Sequence, residues 1–200
     1  MDAVSPHLKN KIPSSLSRPP RKRTTSIILH RIKIGNSVDD VEEFFTSDPE
    51  GVATVTIGNL QERLDAIRDW RKYGVPDWAS RLAYVPYHYV ISEDGLVHQY
   101  LNYEAKGSHA AGINSTSVGI GTFGDFRRFN PTQKQVLAAK YLCRDLMFKH
   151  ESINNIYGHD EILSMRNKKV KNCPGPNYPV DKVSSWAKGA VRAMREEKRF

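Results

Sequence analysis

Apolar residues in this chain fall into short clusters separated by polar and glycine-rich segments, and the length of each cluster limits the element it can form. Ile27, Ile28, Leu29 and Ile32 make a run long enough for a buried strand and too short for a helix. It contains a histidine, His30. Residues 85–91 and 96–101 bracket Ser-Glu-Asp-Gly and predict a β-hairpin with Gly95 at the turn. Residues 117–123 predict a further strand, and 153–158 a short one. Helical spacing appears in four places. Leu60, Leu64, Ile67 and Trp70 place a helix over 59–73 that Gly74 stops, and a shorter one over 39–45 is capped by Ser37. Pro131 opens a third with Thr132 in its first turn, burying Val136, Ala139, Cys143, Leu146 and Met147 and ending near Lys149. The last spans residues 180–199. Because strands and helices interleave, the expected fold class is α/β: a single domain with a mixed central β-sheet flanked by helices.

Two hundred residues suffice for one core but hardly for two full domains. Residues 1–25 carry Ser, Pro and basic side chains and read as a disordered basic arm, which leaves 26–200 as the domain, including its basic C-terminal helix. The arm lacks the apolar stretch of a secretory signal, and no apolar run reaches the length of a membrane span. The formal charge of +8 raises the question of nucleic acid. Residues 1–25 hold six Lys and Arg against one acid, and residues 182–200 six against two, so residues 26–181 carry one net negative charge. A near-neutral body with basic ends disfavours a nucleic-acid partner and points instead to salt-screened attraction of the termini to an anionic envelope surface. The two cysteines, Cys143 and Cys173, are too few for a disulfide framework.

Metal sites draw on histidine and cysteine held by rigid elements. His30, within a largely apolar strand, needs a partner: a backbone carbonyl would serve a core histidine, and a cation would serve a ligand. His159 follows Tyr-Gly at a predicted strand end and precedes Asp160 and Glu161. Cys173 stands in Lys-Asn-Cys-Pro-Gly-Pro, a stiff loop that presents a thiol, whereas Cys143 belongs to a buried helix face. Lys171, two positions before Cys173, shares its face if the segment is extended, and reads either as an oxyanion donor or as part of a solvated basic turn with Lys168 and Lys169. Alternation puts Tyr87 and His88 on opposite faces, so one of them serves a given site. His98 is expected to be exposed, and His7 and His150 lie in the arm and at a helix end. His109, in the small-residue loop Gly-Ser-His-Ala-Ala-Gly, suits a substrate contact.

The strings IILHR, PYHYVISEDGLVHQY, GSHAAGINSTSVGIGTFGDF, TQKQVLAAKYLC, YGHDEI and KNCPGP, in this order over about residues 26–186, resemble the zinc N-acetylmuramoyl-L-alanine amidases related to peptidoglycan recognition proteins. Within that group the chain is most similar to compact phage endolysins. The resemblance implies a Zn2+ ion held by His30, His159 and Cys173, with Tyr87 and Lys171 assisting catalysis and His109 and Asn114 lining the substrate groove. Residues 35–59 look like an insertion.

The function so implied is hydrolysis of the amide between N-acetylmuramic acid and the L-alanine of the stem peptide, with peptidoglycan as the partner. A monomer is expected, made in the cytoplasm without a signal peptide and, if phage-encoded, acting on the cell wall after release, for lysis. The alternative is a peptidoglycan-binding module of the same fold without activity. Such modules typically lose the cysteine ligand, whereas Cys173 is present here.

Overall fold

The computed structural model describes residues 8–10, 23–32 and 86–198. Among these residues, the apolar run that contains His30 forms a strand next to the sheet edge. This strand, β2 (Ser26–Ile32), lies between two parallel neighbours, β5 (Ser117–Phe123) and β6 (Asn155–Gly158). A strand covered on both faces reads as a continuous apolar run, and Ile27, Ile28 and Leu29 are fully buried. Two more strands, β3 (Tyr89–Ile91) and β4 (Val97–Gln99), form the expected hairpin, shorter than its apolar pattern, with Gly95 at φ +85° in the turn. β3 joins β5 in parallel, and an additional strand, β1 (Leu8–Asn10), pairs in parallel with β4. Among the described residues the order is β1-β4-β3-β5-β2-β6, a mixed sheet with one antiparallel pair.

Residues 8–10 therefore depart from the disordered arm expected over 1–25: their backbone adds a strand to the sheet. With β1 in place β4 is not the sheet edge, and His98, expected to be exposed, is buried. The helices expected over 39–45 and 59–73 lie outside the described residues, as does the first residue of the hairpin pattern.

Alternation along β2 sends Ile27 and Leu29 to one face and Ile28 and His30 to the other. The first face carries the main core, built with helices α1 (Gln133–Lys149) and α3 (Val180–Glu197). Ala139, Cys143, Leu146 and Met147 point into it from α1, and Val183, Ala187 and Val191 from α3. Cys143 is fully buried as a core residue. On the outward side of α3, Lys182, Lys188, Arg192 and Lys198 are exposed. No described helix is long and apolar enough to cross a membrane. The second face is covered by α2 (His159–Met165), a short helix missing from the sequence expectation, whose Ile162 packs with Ile28 and Ala110.

At the start of α1 the structure corrects the expected boundary. Thr132 is the N-cap rather than a first-turn residue: its hydroxyl oxygen accepts from the Gln135 N–H, and the Gln135 side chain accepts from the Thr132 N–H. The hydroxyl also donates to the carbonyl of Glu93 in the hairpin turn, at 2.9 Å. Gln135 is 1% exposed where Val136 was expected to be the buried residue, because its Nε2 donates to the Phe123 carbonyl at the end of β5. One cap thus joins helix, hairpin and strand end. Thr132→Ala is expected to cost about 1–2 kcal/mol and to lower the melting temperature by about 2–8 °C, as read by calorimetry, with bound metal unchanged.

Candidate metal centre

Where β2 ends, the second face of the sheet has two bare positions. Gly119 and Gly121 alternate with Val118 and Ile120 along β5 and stand opposite Ile28 and His30 in register. A Cβ on Gly119 would lie 2.4 Å from Cγ of His109, and one on Gly121 2.5 Å from Cδ1 of Ile32 and 3.1 Å from Cδ2 of Tyr87. The glycines thus leave room for side chains to lie against the sheet beside His30.

Around His30 the rings are close-packed. Its centroid is 4.5 Å from that of His159, 5.1 Å from Tyr87 and 5.2 Å from His109. Cys173 Sγ lies 3.7 Å from His30 Nδ1. One ligand atom from each of His30, His159 and Cys173 falls within 4.8 Å of the others, the only such group among the described residues. The three come from separate pieces of chain. His30 is on β2, His159 is the first residue of α2 directly after β6, and Cys173 is on the following loop.

Two devices set the His159 and Cys173 positions. Glu161 Oε1 accepts from the Gly158 N–H at 2.7 Å and so holds the start of α2. Asp160 grips the loop with both carboxylate oxygens: Oδ1 accepts from the Lys171 N–H at 2.8 Å and Oδ2 from the Cys173 N–H at 3.0 Å. The Asp160 N–H in turn donates to the Cys173 carbonyl at 2.8 Å. Between the two gripped amides Asn172 has φ +53°, the left-handed region that Asn tolerates better than most residues. The segment is therefore not extended, and the shared face expected for Lys171 and Cys173 from simple alternation does not exist. Lys171 is exposed and Cys173 half-buried, yet the Lys171 charge reaches both His159 and Cys173.

Electrostatics prepare the cluster for a cation. Burial, then the proximity of His159 and His109, holds His30 well below the usual histidine range. Burial and the Lys171 charge lower His159 to about 4, against an opposing pull from Asp160. Both imidazoles are thus neutral at pH 7, the state in which a ring nitrogen offers a lone pair. Burial raises the Cys173 thiol to about 11, opposed by an Arg31 backbone N–H and by the Arg31 and Lys171 charges. It also raises the Tyr87 hydroxyl, reinforced by Cys173. Arg31 Nη1 is held by Asp125 Oδ1 at 2.8 Å, and Arg127 takes both oxygens of the same carboxylate. Two neutral imidazoles and a thiol fit a borderline-soft divalent ion such as zinc.

Tyr87 is buried beside His30, while His88 is committed elsewhere: its Nε2 lies 2.8 Å from the Ala105 carbonyl and its Nδ1 accepts from the Gly119 N–H. His109 and Asn114, expected to line the substrate groove, are both buried. Asn114 is buried, and its Oδ1 accepts from the N–H groups of His109 and Ala110, so it shapes the loop. His109 is 6% exposed and turned inward, with Nδ1 3.1 Å from His30 Nε2. Asp160 and Glu161 went unassigned in the sequence reading. Their signal was their place directly after His159 at a strand end, where a carboxylate can reach backbone amides.

The chain is similar to Peptidoglycan-recognition protein SC2 of Drosophila simulans, 29% identical over 105 residues, 52% of this chain and 53% of that protein. It is also similar to Peptidoglycan-recognition protein 1 of Holotrichia diomphalia, 33% identical over 102 residues, 51% and 49% of the two chains. It therefore spans about half the length of these relatives. Two solved structures share its fold. The endolysin N-acetylmuramoyl-L-alanine amidase LysCS from Clostridium intestinale URNW has a TM-score of 0.55 at 22% identity, covering 89% of this chain and 93% of the other. Bumblebee PGRP-SA has a TM-score of 0.56 at 18% identity, with the same coverages. The family model described as N-acetylmuramoyl-L-alanine amidase matches residues 21–176, and the chain belongs to that family.

Proposed function

We propose that the protein is a zinc-dependent peptidoglycan hydrolase that cleaves the amide between the lactyl group of N-acetylmuramic acid and the L-alanine of the stem peptide, in the manner of a phage-type endolysin. The observation that carries this reading is the convergence of His30, His159 and Cys173 at one end of the sheet in a chain of the amidase family. The relatives named for peptidoglycan recognition and the neighbour named as an endolysin support the substrate class.

When bound by the three side chains, zinc supplies a water of lowered pKa and polarises the amide carbonyl. The chain's own groups do the rest. Tyr87, buried and protonated beside His30, keeps a hydroxyl proton with which to orient the water or the carbonyl. Lys171, exposed at the rim and close enough to act on His159 and Cys173, brings an ammonium group to the oxyanion that forms as water adds to the carbonyl. Asp160 fixes the amides on either side of Asn172, which keeps Lys171 and Cys173 in a constant relation to His159. The exposed cations of α3 suit attraction to anionic envelope polymers or lipid surfaces.

The main rival is a module that binds peptidoglycan without cutting it. Digestion of purified sacculi separates the two: an amidase releases free amines with no new reducing ends, and a binding module releases neither. Cys173→Ser is expected to lose both the amines and the bound metal. Retention of stoichiometric zinc and full activity in that variant would overturn the ligand set. Lys171→Met and Tyr87→Phe should keep their zinc while turnover falls by about tenfold to a thousandfold. Wild-type rates in both would return these residues to structural roles. For Asp160→Ala the expectation is different: zinc affinity, measured against a competing chelator, should fall by about 10–100-fold, and Asp160→Asn should fall less because it keeps one acceptor.

A further inference from the structure

The sequence suggested that His109 meets substrate; its surroundings assign it other work. Four hydrogen-bond contacts link Ile113, Ser117, His109 and His30. His109 Nε2 lies 3.4 Å from both the carbonyl and the hydroxyl oxygen of Ser117. The Ser117 hydroxyl donates its one proton to the Ile113 carbonyl at 2.7 Å. His109 Nδ1 lies 3.1 Å from His30 Nε2.

Donor and acceptor rules determine the direction of this chain. A carbonyl oxygen only accepts, and the Ser117 hydroxyl has already spent its proton, so the His109 nitrogen facing them must carry a hydrogen. A neutral imidazole has one N–H, which leaves His109 Nδ1 as an acceptor. His30 Nε2 must then be the donor across the 3.1 Å contact, and the remaining lone pair of His30 sits on Nδ1, the nitrogen 3.7 Å from Cys173 Sγ. We infer that His109 is a positioning residue for the metal centre: through Ser117 it sets the tautomer of His30 so that Nδ1 presents its lone pair toward Cys173.

Several features support the assignment. A ligating imidazole needs its second nitrogen held by an acceptor, commonly a carboxylate or carbonyl; here the acceptor is a second imidazole of defined polarity. Asn114 orients the His109 loop from behind through two backbone amides. Gly119 leaves the space the ring occupies against β5, since a Cβ there would overlap Cγ, Cδ2 and Nδ1 of His109. His88, whose ring stands edge-on to His109 at 5.7 Å, is itself locked between the Ala105 carbonyl and the Gly119 amide.

This inference rests on the zinc-amidase reading for its use, but the tautomers can be measured without metal. Ring 15N spectra of the metal-stripped full-length protein at neutral pH should show Nε2 protonated and Nδ1 unprotonated on both His30 and His109. A proton on Nδ1 of His30 would overturn the inference. In zinc titrations against a chelator, His109→Phe should bind about 10–100-fold more weakly than wild type, while its metal-free melting curve shows that the fold is kept. His109→Asn, which retains an acceptor near the Nδ1 position, should recover most of the loss. If His109→Phe bound zinc as wild type does and only KM for a soluble muropeptide rose, His109 would be a substrate contact and the inference wrong. A wild-type chain that took up no zinc would instead overturn the amidase reading, and the ring spectra would still decide the tautomers.

Discussion

The site depends on one costly placement: an imidazole that is 1% exposed in a largely apolar, buried strand. Burying a polar group without partners costs several kcal/mol, about 2–7 depending on the reference, so both nitrogens of His30 must be answered. One meets His109 and the other faces Cys173, with His159 packed beside it. The answer constrains neighbours that are far away in sequence. β5 must be glycine at two alternate positions, the 107–114 loop must turn a histidine inward, and a segment more than 140 residues later must bring a thiol to the same place.

Strand alternation separates this demand from the stability of the fold. On one face of β2, Ile27 and Leu29 pack into the core with α1 and α3 and include no group of the metal centre. On the other, Ile28 joins the small cluster under α2 while His30, two residues on, meets the rings. The larger apolar core can therefore hold the sheet in place while the smaller face tolerates desolvated histidines and a buried tyrosine hydroxyl. Those groups make the second face poor as a core and suitable for a cation: two depressed imidazoles and a thiol raised by burial gain a shared partner when an ion enters.

Much of this was legible in residue order because it depends on local patterns. The apolar run around His30, the hairpin at Gly95, the buried face of α1 with Cys143 and the final helix all follow from spacing of two or about 3.6. What escaped depends on partners that spacing does not encode. Gln135 is buried because a strand end leaves it a carbonyl, and His98 because another strand lies outside its own. α2 is only seven residues long, too short for periodicity to announce it. His109 sits in a loop whose composition suits a ligand's approach, and only the register that sets Gly119 beneath it shows that the space is filled by its own ring.

Lys171 and Cys173 illustrate the same limit and lead to a mechanical consequence. Simple alternation would have displayed them together on an extended segment, whereas the chain turns through Asn172 and is gripped by a single carboxylate. Because Asp160 follows His159 directly, that grip makes the start of α2 and the 171–173 loop one unit carrying two of the three proposed ligands, and the sheet carries the third. An ion bound among them would therefore tie the α2 unit to β2 rather than merely fill a preformed pocket. Arg31, the residue after His30, already spans that boundary: its guanidinium is anchored on Asp125 and its backbone N–H meets Cys173. The position of the thiol is thus controlled from both sides of the gap, by a carboxylate on the helix and an amide on the strand, and the distance between those two anchors decides whether the three proposed ligands can act as one site.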